Sequence, residues 1–424
     1  MTIQNREPIQ EGETFEERAS RGSEPIYMDH NATTPVLPEV AAAMWPCLTD
    51  LFGNPSSGHF HGRAAAAAVE KARHQIARLI GCSPEEVVFT AGATESDNLA
   101  LRGAVRVRQG SGRRGGRPHL ITCAIEHEAV LETCRELSEE GCAVTVLPVD
   151  RHGMVDPGAV EQAITPDTIL VSLMMANNEI GTVQPLAEVG SLCRERGVLL
   201  HSDAVQAAGR LPIDVNALGV DLMSLTAHKM YGPKGTGALF VRAGVDLRPQ
   251  LRGGGQERGL RSGTLNVAGI VGFGAAAEAA LRDLEAQSRL EAGLRDALWQ
   301  EIRTGCEGIV PVAMNGHPVH RLPNNLNVAF DGIESEALIT ALRHVAALSA
   351  GSACASGTSK GSYVIRALGL GEARARSSIR FGLGRSNTRS QVDLVARRLA
   401  ESAARLASLA PDRAATLHND LITT

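Results

Sequence analysis

Short runs of continuous apolar residues alternate with longer stretches of helical periodicity, and few architectures accept that alternation. Val87-Val88-Phe89-Thr90, Leu120 to Ile125, Val144 to Val149, Ile169 to Met174, Val198 to His201, Leu222 to Leu225 and Ala238 to Val241 read as seven strands. Ala64 to Ile80 reads as a helix stopped by Gly81, and Ala129 to Glu140 and Leu186 to Arg196 read as helices between strands. Strands that are apolar at every position need cover on both faces. The pattern therefore predicts an α/β fold with a mainly parallel seven-stranded sheet flanked by helices. In such sheets the chemistry collects at the carboxyl ends of the strands.

The last third of the chain follows a different rule. A long helix is expected from Ala268 to Arg303, then a strand (Asn325 to Phe330), a helix (Glu334 to Val345), a helix (Ser362 to Leu368), a strand (Ser378 to Leu383) and a closing helix (Val392 to Leu409). This describes a smaller α+β domain. With 424 residues the chain has length for two cores. The division expected is a disordered polar extension over 1–25, a large domain over 26–266, a small domain over 267–410 and a tail over 411–424.

Net charge and cysteine placement narrow the class. A formal charge of −5 argues against a general nucleic-acid binder. The basic run Arg106 to Arg117 reads as a solvated insertion between a helix and a strand. No apolar run approaches the roughly 18 residues that span a bilayer, and the N-terminus carries Glu7, Glu11, Glu13, Glu16 and Glu17 where a secretory signal needs an apolar stretch. The eight cysteines are scattered without a C-x-x-C pair, which points to a reducing cytoplasm and gives no zinc site or disulfide framework. His59 and His61 lack a third ligand nearby, so no metal is expected.

Polar residues stand at five strand ends. Val87–Thr90 runs into Ala91-Gly92-Ala93-Thr94-Glu95-Ser96 and then a helix, a turn whose free N–H groups suit an anion. The next ends carry Glu126-His127, then Asn177-Asn178-Glu179, then Asp203 with Gln206, then Thr226-Ala227-His228-Lys229. Together they supply a carboxylate for a protonated ring nitrogen (Asp203), a flat ring to stack (His127), an amine able to form a Schiff base (Lys229) and hydroxyls for a phosphate (Thr94, Thr226). Those are the parts of a pyridoxal 5′-phosphate site. Separately, Cys354 lies in Ala350-Gly351-Ser352-Ala353-Cys354-Ala355-Ser356-Gly357, a run of small residues with little to bury. It reads as a thiol on a solvent-reachable loop, spanning 350–361, where it can attack or carry a group.

Several segments closely resemble cysteine desulfurases. They are Asp29-His30-Asn31-Ala32-Thr33-Thr34-Pro35, Phe52-Gly53-Asn54-Pro55-Ser56-Ser57, Thr94-Glu95-Ser96-Asp97-Asn98, Asp203-Ala204-Val205-Gln206, Ala227 to Gly235, Gly253 to Thr264 and Ser378-Ile379-Arg380-Phe381. The resemblance spans roughly residues 26–400 and implies a fold-type I pyridoxal-phosphate enzyme of the class-V aminotransferase group. It further implies that Lys229 holds the cofactor, Asp203 pairs with the pyridine nitrogen, His127 stacks on the ring and Gln206 bonds its phenolic oxygen. Ala93, Thr94, Thr226 and His228 would hold the phosphate. Thr264 would reach the phosphate of a neighbouring subunit, making a homodimer with shared sites. Asn177, beside the cofactor, and Arg380 would bind the carboxylate of L-cysteine.

Cys354 would then take the substrate sulfur as a persulfide and leave L-alanine, with Lys229 moving the α-proton and His127 accepting the thiol's. The length of its loop resembles the group I, NifS/IscS-like enzymes. Ser359-Lys360-Gly361 departs from the Leu-Glu-Pro more usual there, and Thr226-Ala227 replaces Ser-Gly while keeping the hydroxyl. The sulfur would pass to an acceptor or scaffold protein serving iron–sulfur cluster assembly, another thio-cofactor or nucleic-acid thiolation. Cys354 could also serve as a transient iron–sulfur ligand. The alternative activity is that of a selenocysteine lyase or another class-V aminotransferase-like enzyme.

Overall fold

A computed structural model of the chain describes residues 24–110, 116–351 and 361–409. Cys354, residues 111–115 of the basic run, most of the N-terminal extension and the C-terminal tail lie outside the described residues.

Seven strands form the large sheet: β1 (Val87–Thr90), β2 (His119–Cys123), β3 (Ala143–Leu147), β4 (Thr168–Ser172), β5 (Leu199–Asp203), β6 (Leu222–Thr226) and β7 (Gly237–Val241). Their spatial order is β1-β7-β6-β5-β4-β2-β3. The five strands β2 to β6 pair in parallel, and β7 runs antiparallel between β6 and β1. The continuous apolar runs are explained by this placement: β1, β2, β6 and β7 are buried at every residue. The edge strand β3 is only half-buried along most of its length.

Helices cover both faces. The Ala-rich α1 (Phe60–Ile80) buries Ala65, Val69, Ala72, Ile76 and Ile80. It stops at Gly81, whose φ of 72° places it in the left-handed region that a residue without Cβ adopts freely. The 39-residue α2 (Val267–Gly305) spans about 58 Å. Its first half packs Ile270, Phe273, Ala276 and Ala280 into the core of the large sheet, and its second half packs Leu294, Leu298 and Ile302 into a second core. Gly274 lets α2 lie against α1: a Cβ there would meet Ala72 Cα at 2.6 Å.

The second core is built on a three-stranded antiparallel sheet, β8 (Val312–Asn315), β9 (Asn325–Phe330) and β10 (Ser378–Gly382), in the order β10-β9-β8. Leu326, Val328, Phe330, Ile379 and Phe381 face it, together with Val392, Val395 and Leu399 of the closing helix Arg389–Ser408. The N-terminal residues Ile26–Tyr27 pair in parallel with Ala346–Ala347, and Met28 is buried in this same core. Residues 26–28 thus belong to the second core, although they precede every strand of the large sheet.

Most element positions follow the sequence reading to within a few residues. The closing helix starts three residues earlier than the apolar spacing suggests, because Thr388 and Gln391 form a reciprocal capping box. Strand Val312–Asn315 and the short helices Pro38–Met44, Pro157–Ala163 and Gly371–Ser377 carry too few apolar positions to set a period. Among the described residues no helix is long and apolar enough to cross a membrane, and no group of three or more His, Cys, Asp or Glu is arranged to hold a metal ion.

Candidate active site

The carboxyl ends of the strands open into a cavity of about 460 Å³. Four of the five polar strand ends reach it through the side chains singled out above. Ala93 and Thr94 lie at the start of helix Ala93–Gly110, His127 follows β2, Asp203 ends β5 with Gln206 three residues on, and Thr226, His228 and Lys229 follow β6. Arg380 of β10 closes the cavity from the small sheet. The end of β4 contributes Asn178 to the lining in place of Asn177.

Lys229 is half-buried, and its Nζ donates to the carbonyls of Asn31 at 2.6 Å and Ala32 at 2.7 Å. Burial, with the charges of Arg380 and Arg210, lowers its pKa to about 8. A sizeable neutral fraction of the amine is therefore present near neutral pH, as a nucleophilic or proton-accepting lysine requires. Asp203 is buried and accepts the N–H of Val205 on Oδ1 at 2.9 Å. Burial pushes its carboxyl upward, while His127, the Val205 N–H and Lys229 favour the charged form. Below it, burial pushes Asp97 and Glu126 well above the usual carboxylate range. Neither lines the cavity, which leaves Asp203 as the acidic group facing it.

His127 caps the helix Glu128–Glu139: its Nδ1 accepts the N–H of Ala129 at 3.1 Å. That bond needs an unprotonated Nδ1, so a proton exchanged with a thiol while the cap is kept passes through Nε2.

His228 shares a 3.1 Å contact between Nδ1 and Thr33 Oγ1, and burial lowers its pKa to about 4, aided by Lys229 and Lys234. His228 is therefore neutral near neutral pH. Thr226 donates from Oγ1 to the carbonyl of Thr236 at 3.1 Å. Gln206 exchanges two hydrogen bonds with Asn31, donating to its carbonyl at 3.0 Å and accepting from its amide at 2.9 Å. Arg380 is 1% exposed, pairs with Asp29 Oδ1 at 2.8 Å and donates to the carbonyl of Asn178 at 3.1 Å.

Asn177 stands apart from this group. It is fully buried, its amide donates to the carbonyl of Ile125 at 2.8 Å, and its oxygen accepts the N–H groups of Glu179 and Ile180. Those bonds staple the turn after β4. Thr264 is exposed and does not line the cavity of its own chain. Its loop is fixed at two points: Arg261 pairs with Glu95 at 2.8 Å, and the buried pair Arg73–Glu257 at 2.8 Å holds Glu257 and Arg258 at positive φ.

Residues without an assigned role in the sequence reading also line the cavity. Asn31, Ala32 and Thr33 form one wall, and Lys234 and Gly235 form part of the rim. They sit in turns just over two hundred positions apart, and no periodic signal links turns that far apart.

Residues 26–395 match the family described as aminotransferase class-V. The chain belongs to that family, in its cysteine desulfurase group. It is 50% identical to "Cysteine desulfurase IscS" of Anaeromyxobacter dehalogenans over 91% of this chain and 94% of that one. Among solved structures it resembles a "NIFS-LIKE PROTEIN" with a TM-score of 0.82 and 37% identity, covering 89% of this chain and 98% of the other. It also resembles "SspA in complex with cysteine", with a TM-score of 0.74 and 37% identity over 85% and 99% of the two chains.

The family's cofactor is pyridoxal 5′-phosphate, and the residues present fit it. Asp203 is a buried carboxylate in need of a positive partner, which a protonated pyridine nitrogen is. Lys229 is an amine of lowered pKa. The start of helix Ala93–Gly110, whose first N–H groups have no partner within the helix, lies beside the hydroxyls of Thr94 and Thr226, and together they suit a phosphate.

Proposed function

We propose that this chain takes sulfur from L-cysteine, releases L-alanine and carries the sulfur as a persulfide on Cys354. The observation that supports this reading best is the convergence of Lys229, Asp203, His127 and Arg380 on one cavity at the carboxyl ends of the strands.

Lys229 would hold the cofactor covalently, with Asp203 on the pyridine nitrogen, His127 on the ring face and Gln206 by the phenolic oxygen. Ala93, Thr94, Thr226 and His228 would hold the phosphate. The bound cofactor supplies an electron sink that makes the substrate's Cα proton acidic and its Cβ–S bond labile. Arg380 is the fork that orients the substrate carboxylate, with Asn177 shaping the turn behind it. Lys229 Nζ takes the Cα proton. An Nε2–H donor on His127 favours the thiolate over the thiol by hydrogen bonding, and the thiolate is the attacking form.

The Cys354 thiolate bonds to the substrate sulfur while the Cβ–S bond breaks. The electron pair of that bond stays with the three-carbon fragment, which takes a proton at Cβ, regains one at Cα from Lys229 and leaves as alanine. The sulfur is then passed to an acceptor protein.

The chain acts as a homodimer in this reading, with Thr264 of each subunit completing the phosphate site of the other. Support comes from the exposure of Thr264 and from the run of exposed apolar residues Trp45, Leu48, Phe52 and Phe60, an arrangement typical of a covered surface. The experiment is alanine formation from L-cysteine by the purified chain and by its Cys354→Ala variant. The wild type makes alanine and the variant does not. Undiminished alanine formation in the variant would contradict the persulfide step and favour the selenocysteine-lyase alternative.

A further inference from the structure

The structure places a resident anion on Arg380. Its guanidinium is 1% exposed and donates from Nη2 to Asp29 Oδ1 at 2.8 Å and from Nη1 to the carbonyl of Asn178 at 3.1 Å, while Nε has no protein partner. A buried cation without a counter-ion is costly, so some anion must neutralise this one. Asp29 does so from 351 positions away in sequence. Arg380 lines the cavity, whereas Asp29 does not.

The backbones that carry the pair are fixed to each other. His30 N–H donates to the carbonyl of Gly382 at 3.0 Å, Gly382 N–H donates to the carbonyl of Met28 at 2.7 Å, and Tyr27 donates to the carbonyl of Asp29 at 3.1 Å. Arg380 N–H in turn donates to the carbonyl of Ser349 at 2.8 Å. Exchange of partners is thus a matter of side chains. The two side chains differ in access to water: that of Arg380 is 1% exposed and that of Asp29 is 19% exposed. The aspartate can turn back toward solvent at little desolvation cost, and the arginine cannot.

We propose that Asp29 is a positioning residue that holds Nη2 of Arg380 between turnovers and loosens that hold when the carboxylate of the amino-acid substrate arrives on the guanidinium. This rests on the reading of Arg380 as the carboxylate site. The exchange keeps the guanidinium neutralised at every stage, and it weakens the hold on the product because Asp29 competes to return. Asp29 therefore sets affinity for amino-acid carboxylates against their release.

The test uses the cofactor-loaded enzyme and equilibrium binding of L-alanine, followed by calorimetry. Asp29→Asn removes the competing charge and is expected to bind L-alanine about three- to tenfold more tightly, with Asp29→Glu close to wild type. L-alanine methyl ester, which lacks the anion, shows no such gain. Weaker binding of L-alanine by Asp29→Asn would overturn the proposal and make Asp29 a simple prop for Arg380. An equal gain for the ester would overturn it as well. Arg380→Met separates the two readings: it weakens L-alanine binding and spares the ester if Arg380 is the carboxylate site, and leaves both unchanged if it is not. Retention of the visible cofactor band and of the melting temperature in Asp29→Asn ensures that the comparison is between folded, loaded proteins.

Discussion

The amine of Lys229 lies 2.6 Å from the carbonyl oxygen of Asn31. That carbonyl also accepts the amide of Gln206 at 3.0 Å. The N-terminal turn after Met28 therefore does more than start the chain: it holds the amine on one side of the cavity in a half-buried setting.

The burial has a pH consequence for the cofactor-free protein. The amine's pKa is about 8 in the folded chain against the usual 10.5. Between those values the unfolded chain binds the proton and the folded chain does not, so stability rises as pH increases across that window. Below it the folded chain bears the full cost of the half-buried charge. Denaturant midpoints of the cofactor-free wild type should rise from about pH 8 to about pH 10 relative to Lys229→Met, in which this contribution is gone. Parallel curves for the two proteins would contradict the assignment.

His201 makes a prediction of the same sign on the acid side. It is fully buried, contacts Ser172 Oγ at 2.9 Å and Ser224 Oγ at 3.0 Å, and lies 3.6 Å from Asp97. Burial lowers its pKa to about 3 from 6.5. Between these values the unfolded chain takes up the proton and the folded chain does not, so this group's contribution falls as pH drops from 6.5 toward 3. His201→Gln keeps hydrogen-bonding capacity without that proton. Its denaturant midpoint should lie below wild type at neutral pH and lose less on acidification to about pH 5.

The pair Arg73–Glu257 is buried on both sides, and Glu257 also accepts the N–H of Phe89 at 2.7 Å. Arg73→Met leaves an unpaired buried carboxylate and should cost roughly 3–5 kcal/mol in a denaturation measurement. Adding Glu257→Gln removes the charge and should recover part of the loss.

Mixed dimers test the shared site. Lys229→Ala and Thr264→Ala subunits, each defective alone, should form hybrids in which one site has both residues intact. Alanine formation and tight cofactor binding should return on mixing, in proportion to the hybrid fraction. No recovery would mean that Thr264 serves its own chain or neither.

Much of this was legible in the sequence because the large sheet writes itself as continuous apolar runs, and because the residues after β2, β5 and β6 stand next to strands that can be recognised. His127, Asp203 and Lys229 were found for that reason. Asp29 and Asn31 were not assigned roles, since the first reaches Arg380 and the second the cavity through a two-residue strand paired with Ala346–Ala347 and through backbone contacts to Gly382. Those pairings span more than three hundred positions and leave no local pattern. Asn177 was singled out by its place after β4, but a turn there also needs a side chain to bind its N–H groups, and Asn177 meets that need. The bond at Nδ1 of His127 belongs to a helix cap that neighbouring residue types do not reveal.

The central claim concerns Cys354, and the mass of the protein tests it directly. Brief reaction of the loaded enzyme with L-cysteine, followed by alkylation and peptide mass analysis, should show one additional sulfur atom on the peptide containing Cys354, with alanine formed in equal amount. The Cys354→Ala variant should show neither. Alanine released with no added sulfur on Cys354, or at an unchanged rate in the variant, would contradict the account.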